Sequence, residues 1–367
     1  MRVALIHDHL NQYGGGERVL SVFCEMFPRA HIFTLVYDDY LTGKSFKDRK
    51  IHVSFVQKIP LAKNNHRLLP MIMPLAVEQF DLSDFDLVIS NSASFAKGVI
   101  TKPHIPHISY CMTPTRFLWD DSHRYLQEFR SAKSSHFSKY PNADIVSLAI
   151  SPFLNYLRIW DQQASQRVDQ FVAISNFINR RIHKYYKRDS LIIYPPVDTK
   201  KFKISQEVKD YYLMVGRLVP YKRFDLAIKV FNELGWPLKI IGDGPQKKYL
   251  QKISKNNIEF LGLISDHKLP HYYCQAKALI FPQEEDFGMV VVESMASGRP
   301  VVAFRGGGSL ETMREGETGI FFDEQKEESL KKSLENFNPF DFDPEKIKAR
   351  ATLFDKEIFK EKFLSIL

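Results

Sequence analysis

With 367 residues, 44% of them hydrophobic and 26% charged, the chain can bury two cores, and its composition is that of a soluble enzyme. Three cysteines, Cys24, Cys111 and Cys274, lie far apart without a CxxC pair, which argues against a structural zinc site and for a reducing compartment. Of the net charge of +8, most belongs to the first 200 residues, which hold 25 Lys and Arg against 18 Asp and Glu.

That positive half calls for an anionic partner: phospholipid headgroups, a pyrophosphate-linked acceptor or nucleic acid. Nucleic acid is disfavoured, because there is no zinc finger and no RNA-binding aromatic motif punctuates the basic residues. The first apolar run is too short for a signal peptide, and none reaches the roughly 18 residues of a membrane span, so a cytoplasmic protein is expected.

In chain order, residues 2–7 read as a strand, followed by Gly14-Gly15-Gly16 and a helix over 17–27. Three glycines before a helix N-terminus let a ligand approach backbone N–H groups, where the dipole favours an anion, although tight βα turns need glycine for geometry in any case. His7 and His9 would face one way on a strand, but no carboxylate cluster completes a site, so no metal is expected. Lys58, Lys63 and Arg67 border an apolar run over 68–77 broken by Pro70 and Pro74. It reads equally as a peripheral membrane contact and as a core segment with a solvated basic edge. Asp84 and Asp86 have DxD spacing but open a strand, where capping is their expected task. Further strands are predicted over 86–90, 107–111, 170–174 and 191–193, after one over 31–36, with a long helix over about 150–168.

Pro195-Pro196-Val197-Asp198 breaks the alternation and is the expected linker, dividing a first domain (1–198) from a second (199–343). Strands follow over 212–215, 238–241, 258–261, 278–281, 301–304 and 319–322, with helices between them and a charged helical tail over 344–367. Regular βα alternation predicts an α/β protein with doubly wound parallel sheets covered on both faces. Arg217 stands just past the strand over 212–215, and Lys222 opens a helix. Two cations have the wrong sign for a helix N-terminus unless an anion sits between them, so the choice is a diphosphate site or two solvated bases. Gly242-Asp243-Gly244-Pro245 and Gly306-Gly307-Gly308-Ser309-Leu310-Glu311 are tight turns at further strand ends. With Glu285 they would line one crevice if the strands are parallel.

The most informative block runs from Phe281 to Phe304 and holds Glu285 and Glu293. Glu285 falls in a loop after a strand, where open α/β sheets bind ligands, and Glu293 inside an almost wholly apolar helix over 288–298. A buried carboxylate there needs a cation, a backbone donor or a ligand hydroxyl; the alternative is that it points to solvent.

Taken together, the Glu285-x7-Glu293 block with Phe287-Gly288 inside it, the Gly216-Arg217-Leu218 element with Lys222, the two glycine turns and the first glycine loop resemble glycosyltransferase family 4. The similarity covers essentially the whole chain, including residues 168–177 and 193–198, and is nearest to bacterial surface-polysaccharide mannosyltransferases. It implies the GT-B fold, two Rossmann-like domains facing across a cleft, with the tail over 344–367 crossing back to the first. It also implies a retaining, metal-independent hexosyltransferase with no cofactor beyond its nucleotide-sugar substrate, GDP-mannose being favoured. The acceptor would be a saccharide or a polyprenyl-diphosphate-linked saccharide at the cytoplasmic membrane face. Arg217, Lys222 and Glu285 would carry catalysis, the two cations on the diphosphate and Glu285 on the donor sugar. Glu293 would reach the ribose, Gly15 and Gly16 would approach the phosphates, and the backbone of Phe287, Gly288, Met289 and Val290 would lie along sugar and diphosphate.

One departure stands out. Relatives place a histidine where Tyr110-Cys111-Met112-Thr113-Pro114 has Met112, which offers no proton and no strong hydrogen bond. Arg116 and Asp120, which follow, are candidates for acceptor contact. A sugar-nucleotide epimerase or hydrolase on the same fold, and a non-catalytic nucleotide-sugar-binding protein, are the competing readings.

Overall fold

A computed structural model of the protein describes residues 1–60, 69–120 and 143–367. It divides into two compact units, Met1–Ile193 and Tyr194–Leu367.

In the first unit the described elements are β1 (Val3–His7), α1 (Gly15–Met26), β2 (His31–Thr34), α2 (Asp39–Phe46), β3 (Ile51–Val53), α3 (Met73–Glu78), β4 (Leu87–Ser92), β5 (His107–Cys111), α4 (Arg116–Trp119), α5 (Ala143–Gln166), β6 (Gln170–Ala173), α6 (Asn176–Tyr186) and β7 (Ser190–Ile192). The seven strands lie in the order β3-β2-β1-β4-β5-β6-β7 and pair in parallel. In the second unit come β8 (Tyr212–Val215), α7 (Phe224–Leu234), β9 (Leu238–Ile241), α8 (Lys247–Ile253), β10 (Ile258–Gly262), α9 (Leu269–Gln275), β11 (Leu279–Phe281), α10 (Met289–Ala296), β12 (Val301–Phe304), α11 (Ser309–Thr312), β13 (Gly319–Phe322), α12 (Glu327–Glu335), α13 (Pro344–Thr352) and α14 (Lys356–Leu364). Here the order is β10-β9-β8-β11-β12-β13, again parallel. Both sheets are thus wound outward from the middle, and each has one point where the order reverses: between β1 and β4, and between β8 and β11. Crevices open beyond the strand ends at such points.

Parallel strands covered on both faces must be apolar throughout, and every residue of β1, β4 and β5 is buried. Strand β3 is the one the sequence hides. It is three residues long, half-exposed at the sheet edge, with His52 at its centre, and so makes no apolar run. Among the described residues helix α5 runs over Ala143–Gln166, extending before the 150 expected from the sequence, and carries Pro152 inside it, at the cost of one backbone hydrogen bond. The first core gathers Ile6, Phe33, Val88, Leu157 and Trp160, the second Met214, Phe231, Ile240, Ile280 and Phe322.

The apolar run over 68–77 contributes Met73, Ala76 and Val77 to the first core and leaves Leu75 exposed. Lys58 ends a short 3-10 turn, whereas Lys63 and Arg67 lie outside the described residues. Among the described residues no helix is long and apolar enough to cross a membrane. Within the second unit α13 packs on α10, and Val197 exchanges backbone hydrogen bonds with Phe354 and Lys356.

Candidate active site

In the second unit, Lys222 closes the 3-10 turn Pro220–Lys222 after β8, and Glu285 lies in the loop after β11. Because β8 and β11 are neighbours at the reversal of strand order, the two side chains meet across it. Lys222 Nζ is 2.6 Å from Glu285 Oε1, with the side chains 12% and 17% exposed. An anion of the kind a cation at this helix end requires is supplied to Lys222 by the protein's own carboxylate. Arg217 is exposed at the head of the same turn.

The Glu285 loop is gripped from the other side by the glycine turn after β12. Gly308 N–H donates to Glu285 O at 2.8 Å. A Cβ on Gly307, whose φ is +64°, would stand 2.2 Å from Glu285 O, and one on Gly308 would stand 2.4 Å from Phe287 Cα. Only glycine permits that approach. Phe287 is buried, Gly288 caps α10, and the first internal bond of the helix, Val291 N–H to Gly288 O, leaves the N–H groups of Met289 and Val290 ahead of it at the helix end. Glu293, one turn further in, is 2% exposed, and Tyr273 donates its hydroxyl to Glu293 Oε2 at 2.7 Å. The partner a carboxylate needs in an apolar helix is therefore a phenol from α9.

In the first unit, Gly15 and Gly16 open α1 beneath a buried polar trio. Glu17 Oε2 accepts from Gly14 N–H at 2.7 Å and Glu17 Oε1 is 3.5 Å from His7 Nε2. Asn91 Nδ2 donates to Gly16 O at 2.8 Å and lies 3.2 Å from His7 Nδ1. His7 is thereby part of the loop's support.

Asp8, directly after β1, takes four backbone N–H donors from the turn after β4: Ala93 at 2.6 Å, Ser94 at 3.0 Å, and Phe95 and Ala96 at 2.7 Å each. Burial alone would raise its pKa. The charges of His9 and His7 and the donors from Ala93 and Ala96 outweigh burial and hold the carboxyl below its ordinary range.

The segment 112–120 is braced by two buried charges. Asp161, on α5, accepts from Lys97 Nζ at 2.5 Å, Thr115 Oγ1 at 2.7 Å, Trp119 Nε1 at 2.8 Å and Tyr186 OH at 2.8 Å. Arg181, on α6, donates to Thr113 Oγ1 at 2.6 Å and pairs with Asp120, which also accepts from the Tyr185 hydroxyl. Arg116 begins α4 between these braces and is half-buried, as is Met112, whose N–H donates to Ser92 O at 2.8 Å.

Lys222, Glu285, Phe287, Gly288 and the start of α10 are thus brought together at one strand-order reversal, while Gly15 and Gly16, and separately Arg116 and Asp120, belong to loops of the first unit. Asp8, Glu17, Asn91, Lys97, Asp161 and Arg181 support these loops without belonging to any of the sequence motifs. Of these only Glu17 had a local signal, the capping-box spacing from Gly14. Among the described residues no three His, Cys, Asp or Glu side chains gather into a cluster able to hold a metal ion.

Comparison with known proteins decides the family. The family model described as Glycosyltransferase Family 4 matches residues 13–201, and that for glycosyl transferases group 1 matches residues 197–347. The chain is a family 4 glycosyltransferase. This glycosyltransferase is 30% identical over 182 residues to an uncharacterized glycosyltransferase of Methanocaldococcus jannaschii, covering 48% of this chain and 52% of that one. It is 33% identical over 110 residues to a GDP-mannose-dependent alpha-mannosyltransferase of Corynebacterium glutamicum, covering 30% and 26%. The matched stretches therefore span about half or less of these curated relatives. Among solved structures, sucrose-phosphate synthase of Thermosynechococcus elongatus matches with a TM-score of 0.75 at 16% identity, over 100% of this chain and 98% of that one. Anabaena HepE in complex with UDP and glucose matches with a TM-score of 0.71 at 16% identity, over 99% and 98%. The two parallel α/β units have the GT-B fold of this glycosyltransferase's structural neighbours.

Proposed function

We propose that the protein transfers a hexose, with mannose from GDP-mannose favoured, to a lipid-linked saccharide acceptor with retention at the anomeric carbon. The observation that carries this reading is the Lys222–Glu285 pair beside the N-terminus of α10. It offers a cation that a diphosphate can take over and a carboxylate that is then released toward sugar hydroxyls. GDP-mannose dependence of the Corynebacterium relative favours a GDP donor, while the UDP in the Anabaena complex makes a uridine donor the competing choice.

Breaking the bond from the anomeric carbon to the diphosphate puts negative charge on the leaving oxygen. Arg217 and Lys222 bind that charge more strongly in the transition state than in the ground state, which is what accelerates the step. The acceptor oxygen bonds to the anomeric carbon on the face being vacated, and its proton passes to the departing phosphate oxygen, so no protein base is required. Glu293 serves the ribose end and the backbone of Phe287 to Val290 the diphosphate and sugar. In the first unit, Arg116 and Asp120 are assigned to the acceptor, the loop at Gly15 and Gly16 to an anionic group, and the positive surface to a peripheral contact with the cytoplasmic membrane face.

The test is nucleotide diphosphate release from a panel of GDP- and UDP-sugars with and without a polyprenyl-diphosphate saccharide, the product anomer being read by NMR. Retained configuration with GDP release from GDP-mannose is the expected result. Interconversion of sugar nucleotides without release would instead indicate an epimerase, and saturable binding without turnover a binding protein.

A further inference from the structure

Tyr194 is the first residue of the second unit and is half-buried, and its aromatic ring has an unusual set of neighbours. It stacks on Phe287, ring centroids 5.6 Å apart at 28°, and Phe354 sets its edge against both, at 5.2 Å and 72° to Tyr194 and at 5.5 Å and 69° to Phe287. The carboxylate of Glu311 lies close enough to the Tyr194 hydroxyl to act on its pKa. Glu311 belongs to α11, which begins directly after Gly307 and Gly308, the glycines pressed against the backbone of Glu285 and Phe287. Arg350, from α13, holds the same short helix by donating to Thr312 O at 3.0 Å and to Glu311 O, and its guanidinium lies over the Phe354 ring.

The loop bearing Glu285 is therefore held on two faces by one connected support. The glycine turn touches its backbone, and Tyr194 stacks on its one aromatic side chain while facing the element that carries the glycines. Burial, reinforced by the neighbouring Glu311, pushes the Tyr194 phenol above its ordinary pKa, so it stays protonated and able to donate. We infer that Tyr194 is a positioning residue for the donor loop 284–288, setting through Phe287 and Glu311 where Glu285 and the N-terminus of α10 stand. The inference rests on the assignment of that loop to the donor.

Because Tyr194 is only half-buried, its truncation leaves the cores intact, and its consequences belong to the loop. The experiment compares wild type, Tyr194→Ala, Tyr194→Phe and Glu311→Gln by steady-state kinetics with varied donor and varied acceptor, together with amide hydrogen exchange over 284–291 with and without GDP or UDP. Tyr194→Ala is expected to raise donor KM about tenfold, with acceptor KM moved by less than about twofold, because a stacked aromatic contact is lost on one side of the reaction only. Exchange over 284–291 should quicken in parallel. Tyr194→Phe keeps the stacked ring, so it and Glu311→Gln should each raise donor KM by less than about threefold, well short of Tyr194→Ala. Unchanged donor KM and unchanged exchange in Tyr194→Ala would overturn the inference, as would an equal loss in every kinetic constant accompanied by a lowered melting temperature. If GDP and UDP fail to slow exchange over 284–291 in the wild type, the donor assignment falls and takes this inference with it. Protection in the wild type with no change in Tyr194→Ala removes the inference alone.

Discussion

Lys222 and Glu285 neutralise each other at 2.6 Å across the reversal point of the second sheet. On the proposed donor assignment, a diphosphate competes with Glu285 for the ammonium, and the carboxylate opposes nucleotide binding while serving the sugar. Glu285→Gln should therefore bind GDP or UDP several-fold more tightly, about threefold to tenfold, yet lose transfer by about a hundredfold or more. Lys222→Ala should weaken nucleotide binding and also lower the melting temperature, because it leaves a largely buried carboxylate unpaired. Calorimetric titration with both nucleotides checks the opposite signs; weaker binding by Glu285→Gln would refute the competition.

Gly307→Ala places a methyl group where Glu285 O already sits, in a left-handed backbone conformation that costs alanine roughly 1 kcal/mol by itself. The second unit should fold with a displaced loop and transfer should drop by more than about tenfold. Circular dichroism alongside turnover separates this from global unfolding.

The ion pair of Lys97 and Asp161 is almost wholly removed from solvent, at 2% and 1% side-chain exposure. Asp161→Asn strands a buried ammonium and should destabilise the first unit by about 3–5 kcal/mol, read from the urea midpoint. Replacing both partners, Lys97→Met with Asp161→Leu, should recover much of that stability. It should leave acceptor KM raised, since Thr115, Trp119 and Tyr186 still lack their common acceptor.

His107 is buried in β5 with Nε2 2.8 Å from Ser90 Oγ, and burial, with the charge of Arg167, pulls its pKa from 6.5 down to about 3. The unfolded chain therefore takes up a proton that the folded one refuses between those values. Stability from this group is complete above pH about 6.5 and declines by ~1.4 kcal/mol per pH unit as pH falls toward 3. His107→Gln, compared with wild type by urea unfolding at pH 7 and pH 5, should show a smaller acid loss. An identical loss in both proteins would rule out His107 as its source.

All strands but β3 were legible because residues buried on both faces write continuous apolar runs, and the site turns were legible because glycine is the residue that close backbone approach demands. Glu285 and Lys222 could each be found at a strand end, but their pairing depends on strand order, which no local pattern carries. Lys97 and Arg181 look in sequence like any solvated base. Lys97 becomes a core residue only because Asp161 meets it, and the separation of 64 positions leaves no local trace. The phenol that serves Glu293 is hidden for the same reason, since Tyr273 stands on a different helix. Residues that chemistry requires beside a ligand tend to announce themselves at turns; residues that hold those turns still do so through partners distant in the chain.

Asp8 gives the first sheet a different destiny from the second. Its carboxylate, anchored to the strand it follows, occupies the cup of N–H groups from Ala93 to Ala96 at the first sheet's reversal point. That crevice carries a permanent tenant, covalently tethered and impossible to exchange with solvent. At the matching place in the second sheet, two side chains, Lys222 and Glu285, face each other instead. The molecule thus builds the same crevice twice and closes the two with carboxylates of opposite attachment, one held by backbone N–H groups and one by a lysine side chain.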